Sequence, residues 1–185
     1  MLSLRETLDA DWARLARACG RADAGRRWVH HFSPRFAPVS LIRHASALHH
    51  AGWRRLAKLV QLLNFVVFGI EVPATLEIGP GLIVAHTQGT VLGGASIGRD
   101  VTIFHQVTLG ARTADFGYTL ALRPVVEDEV TLTAGAKVLG PVRLGRGCVV
   151  GANAVVLADV PAGALAVGVP ARIVTNTDRD GSLEP

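Results

Sequence analysis

The chain has 185 residues, of which 49% are hydrophobic, 18% charged and 20 are glycines, a balance that excludes disorder, collagen and a disulfide-stapled mini-protein. Its net charge of +4 hides an asymmetry: residues 1–68 carry eleven Lys/Arg against four Asp/Glu, residues 69–185 eight against eleven. Cys19 and Cys148 make neither a disulfide framework nor a metal-ligand spacing, which suits a reducing compartment. The N-terminus lacks the layout of a signal peptide, and the longest apolar run, around 59–70, is interrupted by Gln61, Asn64 and Gly69. A soluble cytoplasmic protein without a membrane span is expected.

Residues 1–68 read as an α-helical region. Ser3 and Glu6 have the spacing of a capping box, and Leu4, Leu8, Trp12, Leu15 and Cys19 then recur as one helical stripe. After a turn at 33–38, a second helical stretch runs from about Val39 to Phe68 with a break at Gly52. The excess of arginine reads as a solvated helix face and not as a nucleic-acid surface. His30-His31 and His49-His50 are adjacent pairs that diverge around a helix, so they read as packing or surface groups.

Composition changes near Gly69, where a six-residue period takes over. Val126, Leu132, Val138, Leu144, Val150 and Val156 stand six apart; Ile97, Ile103 and Leu109, and before them Val72, Ile78 and Val84, keep the same step. Two residues before these positions stand small or β-branched residues such as Val101, Val130, Ala136, Cys148 and Ala154. Neither a helix nor plain strand alternation gives this period, whereas a hexapeptide repeat does: each unit is a short strand and a turn, and three units close one triangular coil. Residues 69–174 are therefore expected to form a β-helix, with Cys148 an interior filler and Gly79, Gly98, Gly110, Gly145 and Gly151 at crowded corners. The period slips twice: thirteen residues separate Val84 from Ile97, and seventeen separate Leu109 from Val126. The second slip predicts an external loop at 111–124. Residues 175–185 read as a flexible tail.

The stretches IEVPATLEIGPGLIVAH, VTIFHQVTLGA, AGAKVLGPVRLG and VVGANAVVLADVPAGALAVGVPARIV resemble the hexapeptide-repeat acyltransferases, in particular the serine acetyltransferase-like branch. The resemblance implies a left-handed parallel β-helix, a homotrimer with active sites between neighbouring subunits, and acetyl-CoA as co-substrate for a hydroxyl acceptor, L-serine by family default. Paired trimers are a further family trait, for which the N-terminal region here is short. By the same resemblance His86 matches the general base and Glu71 the carboxylate that orients it. Gly110, Ala134 and Ala152 match positions whose backbone meets CoA, and Lys137 and Arg172 match basic residues near that groove. The pattern departs at Ala85, where the family has an acid, and at Arg123, where it has a second histidine. The loop with Asp115, Tyr118 and Arg123 looks like that of short, polysaccharide-cluster members, and it makes those three residues candidates for acceptor binding. The chain ends Leu183-Glu184-Pro185 and not on the isoleucine offered to cysteine synthase, so that complex is not expected.

The chemistry agrees with these assignments. A neutral hydroxyl attacks a thioester only when a base takes its proton, and histidine titrates in the right range. His86 and His105 each lie two residues past an interior aliphatic, Val84 and Ile103, so they should project from one side on successive coils. Three readings stay open for the β-helix: O-acetyl transfer to serine, O-acetyl transfer to a sugar or polysaccharide precursor, and a catalytically silent trimeric scaffold. Zinc hydration chemistry on this fold needs three histidines where the repeats supply two, so no metal is expected.

Overall fold

The computed structural model describes residues 2–21 and 25–174. The tail expected at 175–185, with the reading of the chain's last residues, lies outside them. Helix α1 (Leu4–Ala18) starts on the capping box: the Glu6 amide donates to Ser3 Oγ at 3.3 Å, and the Ser3 amide donates to the Glu6 carboxylate at 2.7 Å. Leu8, Trp12 and Ala16 bury its apolar stripe against Phe36. Cys19, assigned to that stripe, is exposed at the C-cap, and Ala16 one turn earlier takes its place because the helix ends before the stripe does. His30 stacks on Trp12 at 3.8 Å, and His31 sits between Arg26 and Ser40, so both are packing groups.

Helices α2 (Ala37–His50) and α3 (Arg54–Phe68) are separated at Gly52, whose φ of +85° costs little only in glycine. Gly69, left-handed at φ +65°, ends α3 where the β-helix begins. Helix α3 packs inside out. Ala57 and Asn64 face the protein, while Leu59, Leu62, Leu63, Phe65, Val66 and Val67 stand exposed. No helix among the described residues is long and apolar enough to cross a membrane.

The β-helix has three parallel faces. The first holds β1 (Ile70–Glu71), β4 (Thr90–Leu92), β7 (Thr108–Gly110), β10 (Lys137–Leu139) and β13 (Val155–Val156). The second holds β2 (Glu77–Ile78), β5 (Ser96–Ile97), β8 (Val125–Val126) and β11 (Arg143–Leu144). The third holds β3 (Ile83–Val84), β6 (Thr102–Ile103), β9 (Thr131–Leu132), β12 (Val149–Val150), β14 (Leu165–Val167) and β15 (Arg172–Val174). Only β15 runs antiparallel, folding back along β14 and covering its free edge. The six-residue aliphatics fill the interior, with Ile103, Leu109, Leu132, Val138, Leu144 and Val150 fully buried. Burial pushes the Cys148 thiol up to about 11, with Glu127 adding to the shift. Ellman's reagent is therefore expected to titrate Cys19 rapidly and Cys148 only after denaturation; fast reaction of both thiols would mean that the coil opens readily.

Two details of the repeat differ from expectation. A β-carbon on Gly79, Gly98, Gly145 or Gly151 would come within 2.7 Å of an adjacent coil, but one on Gly110 would meet nothing within 4 Å. Gly110 stays paired with Leu139 of the next coil as the chain leaves for the loop, and the side where a β-carbon would project is open. The thirteen residues from Val84 to Ile97 are not two steps with one extra residue. Val84 and Leu92 pair with Ile103 and Leu109, which places two extra residues in the corner after Val84 and one fewer in the next. Leu92, out of phase in the sequence, is the buried interior residue of that coil.

Besides apolar packing of Val39 and Ile42 on the coil interior, a buried polar cluster fastens the helices to the β-helix. Asp11, with no exposed surface, accepts hydrogen bonds from the Gly81 and Leu82 amides at 2.8 Å and from Arg43 at 2.8 and 3.0 Å. Arg43 in turn donates to the Ile78 and Gly79 carbonyls, and Arg14 to those of Gly81 and Val101.

Candidate active site

Each coil turns from the third face to the first through one left-handed residue: Gly89, Gln106, Gly135 and Asn153, at φ +70°, +57°, +73° and +56°. The coils are tied there by amide bonds from Gln106 to the Gln88 carbonyl, Gly135 to His105 and Asn153 to Ala134. This turn geometry stacks His105, Ala134 and Ala152 in one column, each just before the left-handed residue. His86 lies at the same corner one coil earlier, in the turn enlarged by two residues. The His86 and His105 rings meet edge to face with centroids 5.7 Å apart. His86 is exposed, as a base that must reach an incoming hydroxyl requires, and His105 is half-buried with an Nδ1 that has no hydrogen-bond partner. Glu71 stands exposed on β1 beside Val91, close to the same corner, and is hydrogen-bonded to neither ring in the single chain. Lys137 folds its ammonium onto the Gln106 and Gly135 carbonyls, a second clasp on the column.

The loop at 111–124 leaves from the other edge of the first face. Arg123 is buried: its guanidinium stacks 3.7 Å above the Tyr118 ring and donates to the Gly93 carbonyl at 3.0 Å and to Asp115 Oδ2 at 3.0 Å. Tyr118, itself left-handed at φ +53°, donates its hydroxyl to the Gly94 carbonyl. Burial raises the Asp115 carboxyl, but the Thr119 amide, Arg123 and the Thr119 hydroxyl together hold it below the usual range. Burial raises the Tyr118 hydroxyl, opposed by Arg123. These contacts latch the loop to the coil in a single chain, leaving Arg123 Nε buried without a partner and Phe116 at the tip 99% exposed. The anchoring carbonyls of Gly93 and Gly94 were missed in the sequence, where only a Gly-Gly pair out of phase with the repeat marks them.

The candidate residues thus divide between two edges of one face. His86, His105, Ala134, Lys137 and Ala152 lie at one corner; Gly110, Asp115, Tyr118 and Arg123 lie at the other, on the order of 15 Å away at about 3.3 Å per strand residue. Arg172 is exposed on β15, at the end of the third face. Among the described residues, no three His, Cys, Asp or Glu side chains gather as a metal site. A single chain therefore offers an exposed histidine at one edge and a latched loop at the other.

No family model matches the chain. The serine acetyltransferase of Helicobacter pylori (strain J99) is 41% identical over 134 residues, 72% of this chain and 77% of that protein. That of Mycobacterium tuberculosis is 39% identical over 133 residues, covering 71% of this chain and 57% of the relative. Among solved structures, a serine acetyltransferase in complex with CoA superposes with a TM-score of 0.79 and 30% identity over 93% of this chain and 70% of its own. The Neisseria gonorrhoeae serine acetyltransferase in complex with serine gives 0.78 and 29% over 93% and 69%. With a relative this similar matched over three quarters of its length, and with the same β-helix and helical region superposed, the chain belongs to the serine acetyltransferase family of left-handed parallel β-helix enzymes.

Proposed function

We propose that this protein transfers the acetyl group of acetyl-CoA to the hydroxyl of L-serine. The observation that carries the reading is the exposed His86 at an open corner of a β-helix whose relatives are serine acetyltransferases. His86 takes the hydroxyl proton as the oxygen attacks the thioester carbon; the C–S bond then breaks, and the proton passes to the departing CoA thiolate. Glu71 is the carboxylate that would fix the His86 ring as a second copy closes the groove. The Ala134 and Ala152 corners, with Gly110 of a neighbour, supply the backbone along CoA, and Lys137 and Arg172 its nearby positive charge.

The working unit is a homotrimer. The two separated edges support a shared site, because a second copy can bring a loop with Asp115, Tyr118 and Arg123 over a histidine corner, and a closed ring of three uses every edge. The exposed apolar side of α3 supplies a further surface for pairing trimers. Use of acetyl-CoA and two free cysteines fit a cytoplasmic enzyme. One feature favours a second acceptor, a sugar or polysaccharide precursor: Phe116 is presented bare on a stiff loop, and Ala85 leaves no acid beside the base for an amino group. Kinetics of thiol release from acetyl-CoA with L-serine and a panel of sugars decide between them. Sedimentation equilibrium on the same sample is expected to give a trimer or a multiple of it; a fully active monomer of 19.5 kDa would sink the shared-site reading.

A further inference from the structure

We infer that His105 acts as an uncharged hydrogen-bond donor to the oxyanion of the tetrahedral intermediate, through Nε2–H, and not as a second base. The inference rests on the acetyl-transfer reading and assigns a role at the same site.

Three observations carry it. The His105 ring lies 5.7 Å from that of His86, centroid to centroid. When His86 holds the acceptor's proton it is an imidazolium, and a second positive ring so close would be strongly repelled. Lys137 adds a fixed positive charge on the same side, its ammonium held on the carbonyl of Gln106, the next residue in the chain. Beside a protonated base and a fixed ammonium, the uncharged ring is the favoured partner during attack. A neutral imidazole has one N–H and one bare nitrogen. His105 Nδ1 is buried without a partner, so a proton placed there would be a donor that neither protein nor solvent satisfies. Keeping the proton on Nε2 leaves the bare nitrogen inside and turns the only donor outward, toward the groove that His86 faces.

A donor at that place complements the reaction. As the acceptor oxygen bonds to the thioester carbon, the carbonyl π pair moves onto oxygen, and the negative charge needs a preorganised partner. His86 is occupied by the proton it has just taken, Lys137 spends two of its three ammonium hydrogens on the Gln106 and Gly135 carbonyls, and the ring in contact with His86 is that of His105. When the C–S bond breaks, the carbonyl reforms and His86 returns its proton to the thiolate. His105 ends each cycle as it began, with no net proton gained or lost.

The tautomer is read directly by 15N–1H correlation of the imidazoles in histidine-labelled protein, with the His105→Gln variant supplying the assignment. The Nε2–H form is expected; the Nδ1–H form overturns the proposal. In kinetics, His105→Ala should lower kcat about a hundredfold with the acceptor KM nearly unchanged, the usual effect of losing one oxyanion donor. His105→Gln, which still donates an amide N–H but cannot act as a base, should recover most of that loss. Both variants should keep the acidic limb of the pH profile where the wild type has it, since that limb belongs to His86. An alanine variant of normal kcat, a glutamine variant as slow as alanine, or a displaced limb each overturns the assignment. CoA binding by calorimetry guards against a folding defect. Wild-type protein that transfers acetyl to no acceptor would instead overturn the acetyltransferase reading, while the tautomer measurement still decides the state of His105.

Discussion

His86→Ala is expected to lower turnover at least about a hundredfold, the lower end of what a positioned general base contributes, while CoA affinity changes little. The separation of the two effects follows from geometry. His86 occupies the enlarged corner after β3, whereas the backbone proposed to meet CoA lies farther along the column at Ala134 and Ala152, and at Gly110. His86→Gln tests the same point with less loss of volume, since its amide cannot take the proton. The measurements are steady-state kinetics of thiol release and calorimetric binding of CoA. A variant retaining near-normal kcat would move the base elsewhere, and His105 would then be the first candidate, against the donor role inferred for it.

Asp11→Ala is expected to be the most damaging single change to the fold. Asp11 has no exposed surface and accepts four hydrogen bonds, two from Arg43 and two from the Gly81 and Leu82 amides. Alanine would leave the Arg43 guanidinium, 7% exposed, without its counter-charge and would strand two backbone donors. Breaking a buried pair in this way costs about 3–5 kcal/mol, because an uncompensated charge stays behind. Asp11→Asn keeps an acceptor for the amides and should lose less. Replacing both partners by apolar residues should also lose less than Asp11→Ala, which tests whether the stranded charge is the cause. Urea unfolding at fixed protein concentration reads the difference, the concentration being held because the proposed assembly would add to stability. An Asp11→Ala variant within 0.5 kcal/mol of wild type, a surface-like value, would show that the cluster does not hold the helices on the β-helix.

Both results depend on parts of the molecule that differ in how far they can be read in advance. The β-helix interior is a local matter. Each coil admits one aliphatic residue per face at a fixed step, so Val126, Leu132, Val138, Leu144, Val150 and Val156 announce the fold, and the placing of His86 and His105 two residues past Val84 and Ile103 marks them as neighbours on successive coils. The capping box of Ser3 and Glu6 and the breaks at Gly52 and Gly69 are legible for the same reason, since they involve neighbours in sequence. Corner turns are less constrained. A turn can absorb two residues after Val84 and give one back before Ile97 while the total stays near the repeat, so Leu92 escapes the period although it is fully buried.

The remaining features were decided by contacts between distant residues. Asp11 meets Arg43 and Gly81 across separations of 32 and 70 residues, and no periodic pattern marks such a meeting. Arg123, read in the sequence as a candidate for acceptor binding, is held by Asp115 and Tyr118 of its own loop and by the Gly93 carbonyl of the coil, contacts that only the folded chain brings together. Residues 54–68 were legible as helical but the outward facing of their apolar side was not, because helical period fixes which residues share a face and not which face meets the core. The repeat thus determined the β-helix and the pairing of its two histidines, since both follow from spacing along the chain. Tertiary structure alone decided the open corner at Gly110, the latched loop and the division of the site between two edges, since these depend on which coils and side chains close on one another in space.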